Sequence, residues 1–179
     1  MFPTEKTTVD GRRLLIREAG GSDAGPVLAY IDRISRETTF LTFGPGEFLL
    51  TREEESAYFE KCRRTENALY LLAFLKGTIV GTLTFQAGPR PRVRHAGEMG
   101  ISVLKEHWGI GIASLLIDAL LEWAKDGEIV KKIDLRVRAD NDRAIALYRR
   151  KGFVVEGRLK KEIYLDGVFY DNLCMGLEI

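Results

Sequence analysis

Residues 97 to 125 change from a strand pattern to a helix pattern through a turn that contains two glycines. The segment EMGISV suits a strand, and Gly109 and Gly111 lie in the turn that follows. Beyond them, apolar residues recur at helical spacing, which is typical of an amphipathic helix packed on a sheet. The chain is thereby restricted to folds in which a strand leads directly into a helix lying on the same sheet.

A turn of this kind is suited to hold an anionic group. The first backbone N–H groups of a helix have no partner within it, and the helix dipole adds positive potential there. Because Gly109 and Gly111 have no Cβ, a ligand can approach their main chain closely and the backbone can adopt left-handed conformations. The sequence therefore predicts that phosphate oxygens bind where this helix begins.

Three other segments carry helix signals, each opened by a residue that can cap the first turn. Between the first two helices, TTFLTFGPGEF is aromatic and interrupted by Gly-Pro-Gly, which indicates a loop. The predicted caps are Ser22 or Asp23 for the first helix, Thr51 with Glu54 for the second, and Asn141 for the last, which Gly152 ends.

Strand patterns occupy the rest of the chain. Two apolar runs flanking Lys76-Gly77 are typical of an antiparallel hairpin. The order strand, turn, helix, strand, helix, strand predicts a parallel crossover followed by an antiparallel tail. The expected strands lie near Leu14, within the hairpin at 68–86, at 98–103, in KIDLRVRA, and in two closing segments joined at Asp166-Gly167.

Length and charge narrow the class of protein. The 179 residues suit one globular domain, 1–179. Lysine and arginine number 27 against 26 acidic residues, so the protein has no overall electrostatic field that would favour binding to nucleic acid or to a membrane surface. With no signal peptide and no long apolar run, a cytoplasmic protein is expected. The two cysteines, Cys62 and Cys174, lack metal-ligand spacing, so no metal is expected.

Two motifs give the chain a family resemblance. One is the pyrophosphate motif (Q/R)xxGx(G/A), and the other is NxxAxxLYxxxGF, and both occur in the expected order. On these residues the chain resembles the GNAT superfamily of N-acetyltransferases, closest to the branch with ribosomal-protein-alanine and spermidine N-acetyltransferases. The first motif maps to residues 108–113, with Trp108 in the Gln/Arg position, and the second to Asn141, Ala144, Leu147, Tyr148, Gly152 and Phe153.

The resemblance implies a mixed α+β fold. It implies a mostly antiparallel sheet of about six to seven strands flanked by about four helices, with a central parallel strand pair splayed to form an acetyl-CoA cleft. Acetyl-CoA is implied as co-substrate, with its pyrophosphate on the glycine turn and its pantetheine along the preceding strand. The implied cofactor-binding residues are Ile101, Val103, Trp108, Gly109, Ile110, Gly111, Ala113, Ser114 and Asn141.

Two residues are candidates for proton transfer, and each has an alternative role. In the superfamily the tyrosine that matches Tyr148 points at the sulfur as general acid, whereas a Tyr at this helical spacing can equally be a core residue. The resemblance assigns Glu98 to act through water as base or to position the amine. Alternatively, Glu98 is a solvated strand residue paired with an arginine. Asn141 either contacts the pantetheine or only caps its helix.

The implied activity is direct acetyl transfer to a primary amine of a small molecule or a protein N-terminus in a ternary complex, and a homodimer is the candidate assembly. The alternative is an acetyl-CoA-binding sensor without turnover. A dinucleotide site is disfavoured because Ser114 replaces the third glycine of GxGxxG. The aromatic residues that either line the acceptor pocket or pin the loop are Phe40, Phe43, Phe48, Tyr58 and Phe59.

Overall fold

The computed structural model describes residues 2–179 and contains four α-helices in that part of the chain. Short 3-10 turns at Gly21–Asp23 and Lys105–His107 precede the first and third helices. Within the described residues no helix is both long enough and apolar enough to cross a membrane. The helices are Ala24–Glu37 (α1), Arg52–Arg64 (α2), Ile112–Gly127 (α3) and Asp142–Arg150 (α4).

Eight strands form one sheet. They are Thr4–Thr7 (β1), Arg13–Glu18 (β2), Ala68–Leu75 (β3), Thr78–Ala87 (β4), Ala96–Val103 (β5), Lys132–Arg138 (β6), Val154–Leu165 (β7) and Val168–Glu178 (β8). Their order in the sheet is β1-β2-β3-β4-β5-β6-β8-β7, and every neighbouring pair is antiparallel except β5 and β6. The predicted α+β class, with its mostly antiparallel sheet and one parallel pair, is confirmed. The sheet has one strand more than the expected six to seven, because β1 carries no strand signal in the sequence.

Local sequence signals account for several boundaries. Lys76 and Gly77 both have positive φ, 50° and 81°, which is what a two-residue hairpin turn requires. The Thr51 hydroxyl accepts a hydrogen bond from the Glu54 N–H, and the Glu54 carboxylate accepts one from the Thr51 N–H, so α2 opens with the predicted capping box.

The parallel pair β5 and β6 is joined over a short distance only. Three positions pair, from Ala96 opposite Lys132 to Glu98 opposite Asp134, although both strands continue beyond them. On its other side β5 stays paired with β4 as far as Val103. The sheet therefore has a gap in its middle, bounded on one side by the second half of β5 and on the other by the second half of β6.

The two faces of the sheet carry different helices. One apolar cluster packs α3 and α4 against side chains such as Ile133, Leu135 and Val137 of β6. A second cluster packs α1 and α2 on the opposite face, around Leu72 and Phe59. Because side chains alternate along a strand, the charged residues of β6 lie on the face of α1 and α2. The gap thus opens to α3 and α4 on one face and to α1 and α2 on the other.

Candidate functional site

The glycine turn has the backbone shape that an anion site needs. Gly109 and Gly111 have φ of +84° and +91°, and Gly111 is the residue from which α3 begins. A Cβ on Gly111 would lie 3.3 Å from the Cγ2 of Val9, so a side chain there meets both backbone strain and a neighbour. The left-handed conformation predicted from the two glycines is thus found at both.

The first N–H groups of α3 are available to a ligand. The first intrahelical hydrogen bond runs from Leu115 N–H to Gly111 O at 3.0 Å, which leaves the N–H groups of Ile112, Ala113 and Ser114 without helical acceptors. Among residues 2–179 no side chain caps this helix, and its first turn has no acidic residue. The positive end of the helix dipole therefore remains uncompensated where the predicted pyrophosphate site lies.

A contact from the N-terminal hairpin orients the turn. The Val9 N–H donates a hydrogen bond to the Ile110 carbonyl oxygen at 3.0 Å. In a planar trans peptide the carbonyl and the following N–H point in opposite directions. The Gly111 N–H is thereby directed away from Val9.

The main chain of β5 presents hydrogen-bonding groups to the gap. The Leu104 N–H donates to Val80 O on β4, and the bonding direction alternates along a strand. The main-chain groups of Met99, Ile101 and Val103 consequently face the side where β6 has separated. This is where the predicted pantetheine contacts of Ile101 and Val103 require them.

Trp108 occupies the motif position where a polar side chain is usual, and its indole takes a structural role. The Nε1–H donates to the Val103 carbonyl oxygen at 2.6 Å, while the guanidinium of Arg143 lies 4.7 Å from the ring centroid. One acceptor site of the Val103 carbonyl is therefore already used, which the sequence did not indicate.

Tyr148 lies on α4 among core residues. It is 7% exposed, and its ring meets Phe153 edge-on with the centroids 5.9 Å apart. Burial raises the pKa of Tyr148 to about 12, so the hydroxyl stays protonated at neutral pH. The residue has the packing of a core aromatic together with a protonated hydroxyl, so its environment is compatible with either role.

Glu98 lies at the last paired position of β5, where the gap begins. Its side chain is 53% exposed, and a carboxylate oxygen lies 3.6 Å from Nε of Arg136, which also pairs with Glu162 at 2.7 Å. The arginine pair anticipated as the structural role is therefore present. Glu98 lies on the sheet face of α1 and α2, opposite the face on which Tyr148 packs.

Asn141 caps α4, with its side-chain oxygen accepting from the Ala144 N–H at 3.2 Å. The capping role is thus present in the structure, and a contact with pantetheine stays a prediction. The cap places the start of α4 directly after β6, at the mouth of the gap.

The face of α1 and α2 contains polar groups that the sequence alone did not indicate. The hydroxyl groups of Tyr30 and Ser102 are 2.9 Å apart, and those of Ser102 and Thr82 are 3.1 Å apart. Arg138, at the end of β6, is almost completely buried. These groups come from distant parts of the chain, so no local sequence pattern predicts that they lie together.

The five aromatic residues that were candidates for the acceptor pocket lie in different environments in the structure. Phe59 is fully buried against Tyr70, with ring centroids 4.7 Å apart, and belongs to the core. Phe43 and Phe48 pack on each other at 5.2 Å in the loop after α1. Phe40 is the exposed member of the set, and it stacks on Arg138 at the mouth of the gap.

Comparison with known proteins agrees with this geometry. The family model described as "Acetyltransferase (GNAT) family" matches residues 31–153. The chain therefore belongs to the GNAT family of acetyltransferases, as the two motifs indicated.

Individual relatives support the same assignment. An acetyltransferase of the GNAT family from Streptococcus pneumoniae superposes with a TM-score of 0.90 at 38% identity, covering 93% of this chain and 99% of that one. Ribosomal-protein-alanine N-acetyltransferase from Brucella melitensis gives a TM-score of 0.79 at 28% identity, covering 92% and 99%. L-amino acid N-acetyltransferase AaaT of Escherichia coli (strain K12) is 36% identical over 105 residues, which cover 59% of this chain and 65% of that protein. The chain thus spans just under two thirds of that relative's length.

Proposed function

We propose that this protein is an acetyl-CoA-dependent N-acetyltransferase that moves the acetyl group directly to a primary amine in a ternary complex. The observation that carries the proposal is the position of the glycine turn. It follows β5 after only the short 3-10 turn at Lys105–His107, so the N–H groups that begin α3 lie beside the gap into which the main chain of β5 points. An anion and a linear amide-bearing ligand can therefore be held by adjoining parts of one surface.

Acetyl-CoA would bind mainly through the protein backbone. Its pyrophosphate would accept hydrogen bonds from the amides of the turn and of the first turn of α3, as anions do at helix termini. Its pantetheine amides would pair with the free edge of β5, as an added strand pairs with a sheet. The residues assigned to this binding are Ile101, Val103, Trp108, Gly109, Ile110, Gly111, Ala113, Ser114 and Asn141.

Transfer needs a neutral amine, a stabilised oxyanion and a protonated leaving group. The amine nitrogen attacks the thioester carbon, the C–S bond of the tetrahedral intermediate breaks, and Tyr148 gives its proton to the departing thiolate. The nitrogen, which became positively charged on attack, releases its remaining extra proton to water, and water in turn reprotonates Tyr148. Burial raises the pKa of Tyr148 to about 12, so the hydroxyl carries its proton at neutral pH and has it to donate.

Glu98 would act on the other side of the gap. The acceptor arrives as an ammonium ion, and Glu98 takes one proton from it through water. Because Glu98 and Tyr148 belong to opposite faces of the sheet, proton removal and proton donation occur on different sides of the thioester. Direct transfer needs one group to serve the attacking amine and another to serve the departing sulfur, and these two residues would supply them.

The acceptor class is inferred from the named acceptors of two relatives. The relatives named above are an L-amino acid N-acetyltransferase and a ribosomal-protein-alanine N-acetyltransferase, whose named acceptors both carry primary amines. We accordingly assign a primary amine of a small molecule or a protein N-terminus to this chain. A cytoplasmic location fits such acceptors.

Calorimetric titration with acetyl-CoA tests donor binding, and release of free thiol with a panel of amines tests turnover. Initial rates measured at several concentrations of both substrates should give intersecting double-reciprocal lines, as a ternary complex requires. Parallel lines would contradict direct transfer. Tight acetyl-CoA binding without thiol release from any amine would instead indicate a non-catalytic sensor.

A further inference from the structure

A short segment crosses the mouth of the gap on the face of α1 and α2. We call residues 37–40 the strap. At one end the carboxylate of Glu37 accepts a hydrogen bond from the Lys105 N–H, just after β5, at 2.7 Å. At the other end the carbonyl oxygen of Thr39 accepts one from Nη1 of Arg138, the last residue of β6, at 2.9 Å. The strap therefore connects the ends of the two strands that have separated.

Arg138 is the anchor of the strap on the β6 side. Its guanidinium makes two hydrogen bonds with the carboxylate of Asp140, at 2.7 and 2.8 Å, besides the one to Thr39. It also lies between two rings, 4.4 Å from the centroid of Phe40 and 4.0 Å from that of Tyr170. The strap, the turn after β6, and β8 thus meet at one side chain.

Arg138 is buried although its side chain carries a charge. The residue is 8% exposed, and a charge removed from water persists only where its donors are satisfied and its partner is close. Arg136, two residues earlier on the same face of β6, is exposed and pairs with carboxylates at the surface. Lysine cannot replace Arg138, because it lacks both the planar fork and the flat surface that stacks on rings.

The strap lies on the side from which the acceptor would come. The donor site begins at α3, on the opposite face of the sheet, whereas α1 and the strap lie on the face that carries Glu98. An amine that approaches the thioester from this face must pass the strap. The exposed ring of Phe40, fixed on Arg138, then lies beside its path.

We propose that Arg138 is a positioning and specificity-determining residue for the acceptor: it holds the strap across the gap, and the fixed strap limits the bulk that an acceptor can carry next to its amine. This inference rests on the proposed function. It assigns Arg138 no contact with the reacting atoms.

The test compares Arg138→Lys with a matched control, Arg17→Lys. Arg17 makes the same kinds of contact far from the gap: two hydrogen bonds to Asp23 at 2.7 Å, one to the Glu18 carbonyl at 3.0 Å, and a stack on Phe74 at 4.5 Å. It stacks on one ring where Arg138 stacks on two, and its side chain is 33% exposed, so urea unfolding of both variants measures how far their general stabilities differ. A second variant, Phe40→Ala, removes only the exposed ring and leaves the Arg138–Asp140 pair intact, so it tests the strap even where Arg138→Lys folds poorly.

Two readouts decide the matter. The first is kcat/KM for L-alaninamide and L-leucinamide, which differ in bulk beside the amine. The ratio of the two kcat/KM values should change about tenfold in Arg138→Lys and Phe40→Ala, chiefly through KM. It should change less than about twofold in Arg17→Lys. Acetyl-CoA affinity should stay unchanged in all three. The second is the rate of amide hydrogen exchange of residues 38–48, which should increase in Arg138→Lys and stay unchanged in Arg17→Lys.

The outcomes separate this inference from the proposed function. If the wild-type protein binds acetyl-CoA and releases thiol but the acceptor ratio is the same in every variant, the role of Arg138 in specificity is wrong while the transferase proposal stands. Unchanged exchange in Arg138→Lys would overturn the anchoring itself. A wild-type protein that releases no thiol from any amine would overturn the transferase proposal and the acceptor role with it.

Discussion

The indole Nε1–H of Trp108 donates a hydrogen bond to the carbonyl oxygen of Val103 at 2.6 Å. This bond ties the last residue of β5 to the residue just before the glycine turn, across the short 3-10 turn between them. The two parts of the predicted donor site, the strand edge and the helix start, are therefore held in one fixed relationship.

Trp108→Phe should loosen that relationship. Because the carbonyl of the buried Val103 loses its donor, we expect the free energy of unfolding to fall by about 1–2 kcal/mol and the affinity for acetyl-CoA to weaken by several-fold. Urea unfolding and calorimetric titration measure both. Trp123→Phe, at a half-buried indole on α3 that packs on Phe85, is the control, and it should leave acetyl-CoA affinity unchanged. Equal affinity in both variants would show that the Trp108 bond does not shape the site.

Gly111→Arg should abolish acetyl-CoA binding while the chain remains folded, because the side chain would cover the amides that begin α3. Calorimetric titration of the folded variant measures the loss. The control is Gly167→Arg in the turn between β7 and β8. There φ is +83°, and, apart from Gly167 and its two chain neighbours, no atom of residues 2–179 lies within 4 Å of the place a Cβ would take, so the control carries similar backbone strain. Retained affinity in Gly111→Arg would place the phosphates elsewhere.

Glu98→Gln should lower kcat/KM most at acidic pH, where little of the acceptor is free amine, and should leave acetyl-CoA affinity nearly intact. We expect a loss of about tenfold or more near pH 6 that shrinks as the pH approaches the acceptor's own pKa. Glu162→Gln is the control, since it also removes a carboxylate from Arg136 but lies on β7. A parallel pH–rate profile in the two variants would reduce Glu98 to an ion-pair partner.

Tyr148→Phe keeps the ring against Phe153 and removes only the hydroxyl. The free energy of unfolding should change by no more than about 1–1.5 kcal/mol, while kcat should fall by about 10²–10⁴-fold if the hydroxyl protonates the leaving thiolate. Steady-state kinetics with an accepted amine measures this, with the exposed Tyr164→Phe as control. A kcat close to that of the wild type, with chemistry rate-limiting, would make Tyr148 a packing residue.

Stability should decline at alkaline pH because of buried tyrosines. Burial raises the pKa of Tyr30 and of Tyr148 to about 12, whereas an unfolded tyrosine ionises near about 10. Their stabilisation is complete below about pH 10, and above it the unfolded state binds fewer protons, so the free energy of unfolding falls as the pH rises toward 12.

Each of these tyrosines can contribute a slope of up to about 1.4 kcal/mol per pH unit in that window. Urea unfolding between about pH 8 and 11.5 measures the slope, which should be smaller in Tyr148→Phe than in the wild type. An equal slope in Tyr148→Phe would mean that Tyr148 ionises as readily in the folded as in the unfolded protein.

Local chemistry explains what the sequence could predict. The hairpin at Lys76-Gly77, the capping box of Thr51, and the left-handed glycines of the turn each depend on a few consecutive residues, and all are found in the structure. β1 could not be predicted because TEKT is only four residues long and lacks an apolar alternation. Its pairing with β2, rather than its own residues, makes it a strand.

The residues of the candidate site differ in the same way in whether local sequence could predict them. The donor residues could be predicted because turn, helix start and strand are contiguous. Arg138 could not, since its burial depends on Thr39 and Phe40, about a hundred positions away in the chain, and on Tyr170. Alternation along β6 marks Arg138 as polar and surface-facing, and it becomes an interior residue only because the strap and Tyr170 cover it.

The three paired positions between β5 and β6 also have a thermodynamic meaning. Within residues 2–179 no other strand pairing links β1 to β5 with β6 to β8, so a ligand lying in the gap would join the two halves of the sheet. Binding of acetyl-CoA would then stabilise the whole sheet against unfolding. The free energy of unfolding should rise by about 1.4 kcal/mol for each tenfold increase in acetyl-CoA concentration above Kd, and the melting temperature should rise with the logarithm of that concentration. By reciprocity, any change that separates these two strands further must weaken the binding of acetyl-CoA by the same free energy.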